Sequence, residues 1–149
     1  MEGLRCYPDL KSLGEAPDLV VIVVPAKFVP GVMEECTAVG AKAVVVITAG
    51  FKEVGPAGKA LEDQVIGIAK RAGLRVIGPN CLGVMVPGHR LNASFGGDLP
   101  APGGIAYLSQ SGALLAAILD MANAEGIGFS SLVSIGNKAD VNELDLIKA

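Results

Sequence analysis

Three short apolar runs, separated by stripes of helical period, constrain this chain more than any other feature. Residues 19–24 (LVVIVV) form an unbroken, mostly β-branched run, which reads as a strand buried on both faces. After Pro25, the apolar residues Val29, Val32, Met33, Cys36 and Val39 recur at helical spacing, and Gly40 stops the stripe. Residues 43–48 (AVVVIT) repeat the strand signal. A turn-rich segment, 49–58, leads to a second stripe of Leu61, Val65, Ile68, Ala69 and Ala72 that ends at Gly73, and 74–77 (LRVI) supplies a third short strand. Strand–helix units of this length predict a parallel sheet with right-handed crossovers, covered on both sides. The fold class is α/β.

The segment 78–102 is rich in Gly and Pro and carries no sustained periodicity, so it reads as a connection between sheets. A second β-α-β unit follows: a strand over 105–108, a helix from Ser111 to about residue 124, and a strand around 131–135. A last helix begins near Val141. The chain divides accordingly into a first unit over 1–88, a linker over 89–102 and the opening of a second unit over 103–149. The first sheet starts at residue 19 with no phosphate loop before it, and so reads as truncated at its N-terminal side.

Composition narrows the function classes. Apolar residues make up 51% and charged residues 18%, which supports a large core and excludes a disordered chain. Twelve Lys and Arg against 15 Asp and Glu leave a net charge of −3, and aromatics are only 4%. A phosphate backbone and stacked bases therefore have nothing to bind, so nucleic acid is not a partner. The apolar runs fall far short of the roughly 20 residues that span a bilayer, and no basic-then-apolar leader is visible. Three dispersed cysteines (Cys6, Cys36, Cys81) without a CxxC pair fit a reducing cytoplasm rather than a disulfide framework. With His89 the only histidine, an internal Ser-His-Asp triad or a His-based metal site has little material.

The segment Ser109-Gln110-Ser111-Gly112 lies between a buried strand and an almost wholly apolar helix. A helix start offers unpaired N–H groups and a partial positive charge, so it holds anions. Two hydroxyls add donors, and Gly112 allows close approach to the backbone. A plain Ser cap fits the same four residues equally well. The apolar helix behind them is expected to be buried, with its start facing a cleft. Open α/β sheets bind ligands at the carboxyl ends of their strands. Here those loops are Pro25-Ala26-Lys27-Phe28, Ala49-Gly50-Phe51 and Gly78-Pro79-Asn80-Cys81. Lys27 suits a phosphate and Phe28 an adenine or acyl chain; a solvated Lys and a core Phe fit the spacing as well. No GxGxxG opens a βα unit, and Gly58-Lys59-Ala60 is not a P-loop. His89 reads as a plain exposed histidine, Glu53 as a solvated turn carboxylate and Asp140 as the cap of the last helix.

Six motifs stand in one order: VVPAKFVP at 23–30, TAGFKEVG at 48–55, RVIGPNCLGV at 75–84, LNASF at 91–95, LSQSGAL at 108–114 and SIGNKADV at 134–141. Together they resemble the α-subunit, or α-like region, of NDP-forming acyl-CoA synthetases, over nearly the whole chain. The acetate–CoA branch fits best, since succinyl-CoA synthetases usually carry Glu where Ala49 stands. The resemblance implies a Rossmann-like CoA-binding domain over 1–88, followed by the start of a flavodoxin-like domain. It implies a ligase that interconverts acyl-CoA, ADP and phosphate with acid, CoA and ATP, through acyl phosphate and a phosphohistidine. It implies CoA contacts at Pro25, Ala26, Lys27, Phe28, Ile47, Thr48 and Ala49, and a place near the acyl group for Asn80. Ser109, Ser111 and Gly112 match the phosphate-holding helix start. ADP or ATP with Mg²⁺ belongs to an ATP-grasp β-subunit or fused region, in a homo- or hetero-oligomer in the cytoplasm. The glycine-rich CoA-phosphate loop is expected before Met1, and the phosphorylated His, which His89 does not match, beyond Ala149. No catalytic or metal-binding residue is therefore expected in this chain, and alone it is expected to show no turnover and only weak CoA binding. Two other readings remain open: the CoA-sensing region of a protein-lysine acetyltransferase, and a binding module without chemistry.

Overall fold

The computed structural model describes residues 3–148. The first three strands are β1 (Leu19–Ile22), β2 (Ala43–Val46) and β3 (Arg75–Ile77), parallel and in that order across the sheet. They are joined by α1 (Val29–Val39) and α2 (Pro56–Ala72). Both helices end where the sequence stops them. Gly40 and Gly73 adopt the left-handed conformation, φ 76° and 68°, and their N–H groups close the last turns. Pro sits in the first turn of each helix, where a missing N–H costs nothing.

Register sorts the strand side chains. Val20, Ile22, Val44, Val46 and Val76 face α1 and α2, and pack with Val29, Met33, Cys36, Val65, Ile68 and Ala69 into one core. Expected coverage of both faces is not what the fold provides. On the opposite face Val45 is buried, but Val21 beside it is 37% exposed and Val23 67%. Both helices pack against each other and against the same face, away from Val21 and Val23.

Residues 83–94 are no connector. They form a hairpin of β4 (Gly83–Val86) and β5 (Leu91–Ser94), turned by Pro87–His89 with Arg90 left-handed at φ 54°. This hairpin joins β6 (Pro102–Ser109) and β7 (Phe129–Ser134) in a mixed sheet of order β5-β4-β7-β6. The linker expected over 89–102 thus contains a strand, and the first unit's expected boundary at 88 cuts the hairpin. β4 pairs locally with β5 over four residues and with β7, some fifty residues away, over two, so the Gly and Pro of this stretch bound a hairpin and it is the distant β7 that ties the hairpin into the second sheet. β6 and β7 are parallel and joined by α3 (Gly112–Glu125). α3 buries one narrow stripe, Leu115, Leu119 and Ala122, against Met85, Phe129 and Leu132. Its expected burial on all sides does not occur: Leu114 is 53% exposed and Met121 49%. α4 (Glu143–Lys148) follows, and no helix of the described residues is long and apolar enough to cross a membrane.

Candidate functional site

The loops that leave the first sheet are tied in series by hydrogen bonds. Thr48 Oγ1 donates to the carbonyl of Val24 at 2.7 Å, linking the turn after β2 to the end of β1. The Asn80 N–H donates to the carbonyl of Thr48 at 2.9 Å, linking the turn after β3 to both. The start of α3 comes from the second sheet to meet them. Between them lies an open cleft of about 750 Å³ lined by Ile47, Thr48, Ala49, Asn80, Ser111 and Gly112, with Phe95 also lining it and 67% exposed. Six of the sequence-expected site residues therefore share one cavity. Pro25, Ala26, Lys27 and Phe28 do not line it: 26–28 make a short 3-10 turn running into α1, and the Lys27 ammonium lies over its neighbour Phe28, 4.9 Å from the ring centroid. His89 is exposed and apart from the cleft.

At the start of α3 both serines are engaged by the backbone. Ser111 is the N-cap, its Oγ accepting from the Leu114 N–H at 3.2 Å. Ser109 is buried; its Oγ accepts from the Ser111 N–H at 3.1 Å and donates to the Ser111 carbonyl at 2.9 Å. The N–H groups of Gly112 and Ala113 have no acceptor among the described residues, and both residues line the cleft. The segment is at once a capped helix end and a pair of free donors in the field of the helix terminus. A Cβ on Gly112 would meet Leu82 Cβ at 3.4 Å, an ordinary contact, so the fold itself tolerates a small side chain there. Cys81 lines the same cleft but is 4% exposed; its thiol donates to the Val46 carbonyl and burial pushes it up to about 12, which keeps it protonated.

Behind the cleft lies a polar cluster that the hydrophobic pattern does not announce. Asn137, 6% exposed, follows β7 in a turn and reaches into the first unit. Its Nδ2 donates to Glu53 Oε2 at 2.7 Å and to Glu62 Oε2 at 2.8 Å. Lys52 pairs with Glu62 at 3.6 Å and donates to the Asn137 carbonyl. Glu53 is no idle turn residue: it also accepts from the N–H groups of Gly50 and Phe51. Desolvation pushes its pKa up, but the hydrogen bonds from Asn137, Gly50 and Phe51 outweigh this and hold it below the ordinary value. One signal in the sequence pointed here. Glu62 sits at i+4 from Gly58 and i−3 from Val65, on the buried face of α2, where a lone carboxylate requires partners.

Asp140 does not cap the last helix. Its Oδ2 accepts from Arg75 Nε at 3.0 Å and from the Val76 N–H at 2.8 Å. Asn142 takes the capping position, its Oδ1 accepting from Leu144 N–H while Asp145 accepts from the Asn142 N–H. Asp140 is drawn away because 137–141 runs beside 76–79, with the N–H groups of Asn137, Ala139 and Val141 donating to the carbonyls of Pro79, Gly78 and Val76.

Comparison with known proteins matches one family to each end of the chain. The CoA binding domain family matches residues 1–87, and the succinyl-CoA ligase like flavodoxin domain family matches 102–149. An ADP-forming acetate–CoA ligase of Methanocaldococcus jannaschii is 51% identical over 98% of this chain and 20% of its own length. The subunit alpha of ADP-forming acetate–CoA ligase I of Pyrococcus furiosus is 44% identical over 97% of this chain and 31% of its own. A structure of the dinucleotide-forming acetyl-coenzyme A synthetase 1 of Candidatus Korarchaeum cryptofilum, in complex with phosphate and ADP, superposes with a TM-score of 0.94. It is 44% identical and covers 99% of this chain and 32% of that one. The chain thus spans about a fifth to a third of the length of these relatives. With matched domains at both ends and high identity between them, the chain belongs to the α-type region of the NDP-forming acyl-CoA synthetases.

Proposed function

We propose that this chain is the CoA-binding and phosphate-holding portion of an acetate-type, ADP-forming acyl-CoA ligase, which interconverts acyl-CoA, ADP and phosphate with a carboxylic acid, CoA and ATP. The single observation that carries the reading is the cleft itself. It sets the strand-end groups Ile47, Thr48, Ala49 and Asn80 opposite the free N–H groups of Gly112 and Ala113. The donor pair suits a phosphate and the amide of Asn80 suits an uncharged arm of CoA, so one cavity can hold an acyl carrier beside an anion. Pro25, Ala26, Lys27 and Phe28 then extend the CoA site outside the cleft, where an exposed cation and an exposed ring are free to meet a nucleotide. Ser109 and Ser111 act through the backbone, holding the turn that aims the two N–H groups. In this reading residues 1–87, which end with β4, belong to the CoA-binding unit, and residues from 102 on, which carry β6, α3 and β7, open the flavodoxin-like unit. Mg²⁺ with ADP or ATP is supplied by an ATP-grasp region, fused or in a partner subunit, and the assembly works in the cytoplasm.

The test is the complete enzyme incubated with acetyl-CoA, phosphate, Mg²⁺ and ADP. ATP and acetate are the expected products. Gly112→Val should abolish ATP formation while CoA affinity stays within about twofold, because residue 112 supplies one of the two anion donors and is not part of the strand-end loops. Normal turnover by this variant would reduce the start of α3 to a helix cap and overturn the reading.

A further inference from the structure

Asn137 spends every polar atom it has on the first unit. Its N–H donates to the Pro79 carbonyl at 2.8 Å and its carbonyl accepts from Lys52. Both hydrogens of Nδ2 go to carboxyl oxygens, those of Glu53 and Glu62. A carboxylate does not donate, so the amide of Asn137 has one allowed orientation: nitrogen toward the two glutamates, oxygen away from them. That oxygen faces Asn80 and accepts from its Nδ2 at 3.3 Å. The constraint passes on. With its nitrogen committed to Asn137, Asn80 retains its side-chain oxygen as the one amide atom without a partner among the described residues, and Asn80 lines the cleft. The backbone holds it there as well, at φ 57°, a conformation that Asn tolerates better than most residues.

We propose that Asn137 is a positioning residue for the cleft: fixed by Glu53 and Glu62, it turns the Asn80 amide so that its oxygen is offered to an N–H of the pantetheine arm of CoA. This rests on the CoA reading of the cleft given above. The arm has the matching chemistry, since it is uncharged and carries two amide N–H groups, whereas the phosphates carry acceptors only. The glutamates act at two removes, by denying Asn137 its other orientation, and belong to the same device.

The experiment titrates the complete enzyme with CoA and, separately, with adenosine 3′,5′-bisphosphate, which has the nucleotide half and lacks the arm. Asn80→Asp keeps an oxygen acceptor and the tolerance of positive φ but loses the donor that Asn137 holds. It should weaken CoA about tenfold and leave the nucleotide half unchanged. Asn137→Ala should do the same, and the double variant should be no weaker than either single one, since both changes break one chain of bonds. A loss of affinity for both ligands, or additive losses in the double variant, would make Asn137 merely structural and overturn the proposal. Unchanged CoA affinity in Asn80→Asp would overturn it without touching the function, because wild-type binding would stand. Failure of the wild-type enzyme to bind CoA at all would remove both together.

Discussion

Replacing Asp140 with Ala tests how the two halves of the molecule are joined. The Asp140 carboxylate receives the N–H of Val76, a residue with no exposed surface, and the guanidinium of Arg75. Removing it leaves the Val76 N–H without its acceptor in a dry position, which costs about 1–3 kcal/mol. The Arg75 side chain is 53% exposed and Asp140 20%, so solvent screens the ion pair and its loss adds only about 0–1 kcal/mol. The sum, about 1–4 kcal/mol, corresponds to a fall in Tm of roughly 2–16 °C for a chain of this size. Asp140→Asn separates the two contributions: it keeps an oxygen for Val76 and gives up only the charge, so it should lose no more than about 1 kcal/mol. Thermal unfolding followed by circular dichroism at neutral pH measures all three proteins. A Tm for Asp140→Ala within 1 °C or so of wild type would refute the assignment of Asp140 as a bridge between β3 and the turn after β7. Equal damage from Asn and Ala would show that charge, not the buried N–H, carries the effect.

Two further outcomes follow from local geometry. Gly58→Ala, a change that favours a helix interior by about 1 kcal/mol elsewhere, should lower Tm here, because a Cβ at that position falls 1.9 Å from the Phe51 carbonyl oxygen; a stabilised variant would contradict the packing of α2 on that turn. Glu53 has a folded pKa below its ordinary value of 4.5, so its contribution to stability is complete above that value and is lost as the pH falls through the lower folded one. Glu53→Gln should therefore flatten the acid side of a Tm-against-pH curve, and a curve unchanged below pH 4.5 would show that the carboxylate is not held by Asn137, Gly50 and Phe51.

Much of the first unit was legible in the amino-acid order, because the signals there are local. A β-branched run, a stripe at helical spacing and a glycine at its end involve only near neighbours, and β1, α1, β2, α2 and β3 form where those signals lie. The start of α3 was legible for the same reason, since Ser111 caps a helix three residues ahead of it. The six motifs, standing in order, likewise carried the family. Tertiary structure decided what depends on distant partners. The hairpin of β4 and β5 is local, but its place in the second sheet is not: β4 pairs with β7, some fifty residues on, and that pairing fixes where the hairpin lies. Val21 and the outer face of α3 are exposed because exposure is set by what packs above a side chain, which no run of apolar letters records. Asp140 bonds Val76 instead of a helix end, and Glu53 bonds Asn137 instead of water, through contacts 64 and 84 residues apart in the chain. For buried polar groups the sequence states the need for a partner, and only the folded chain supplies its identity.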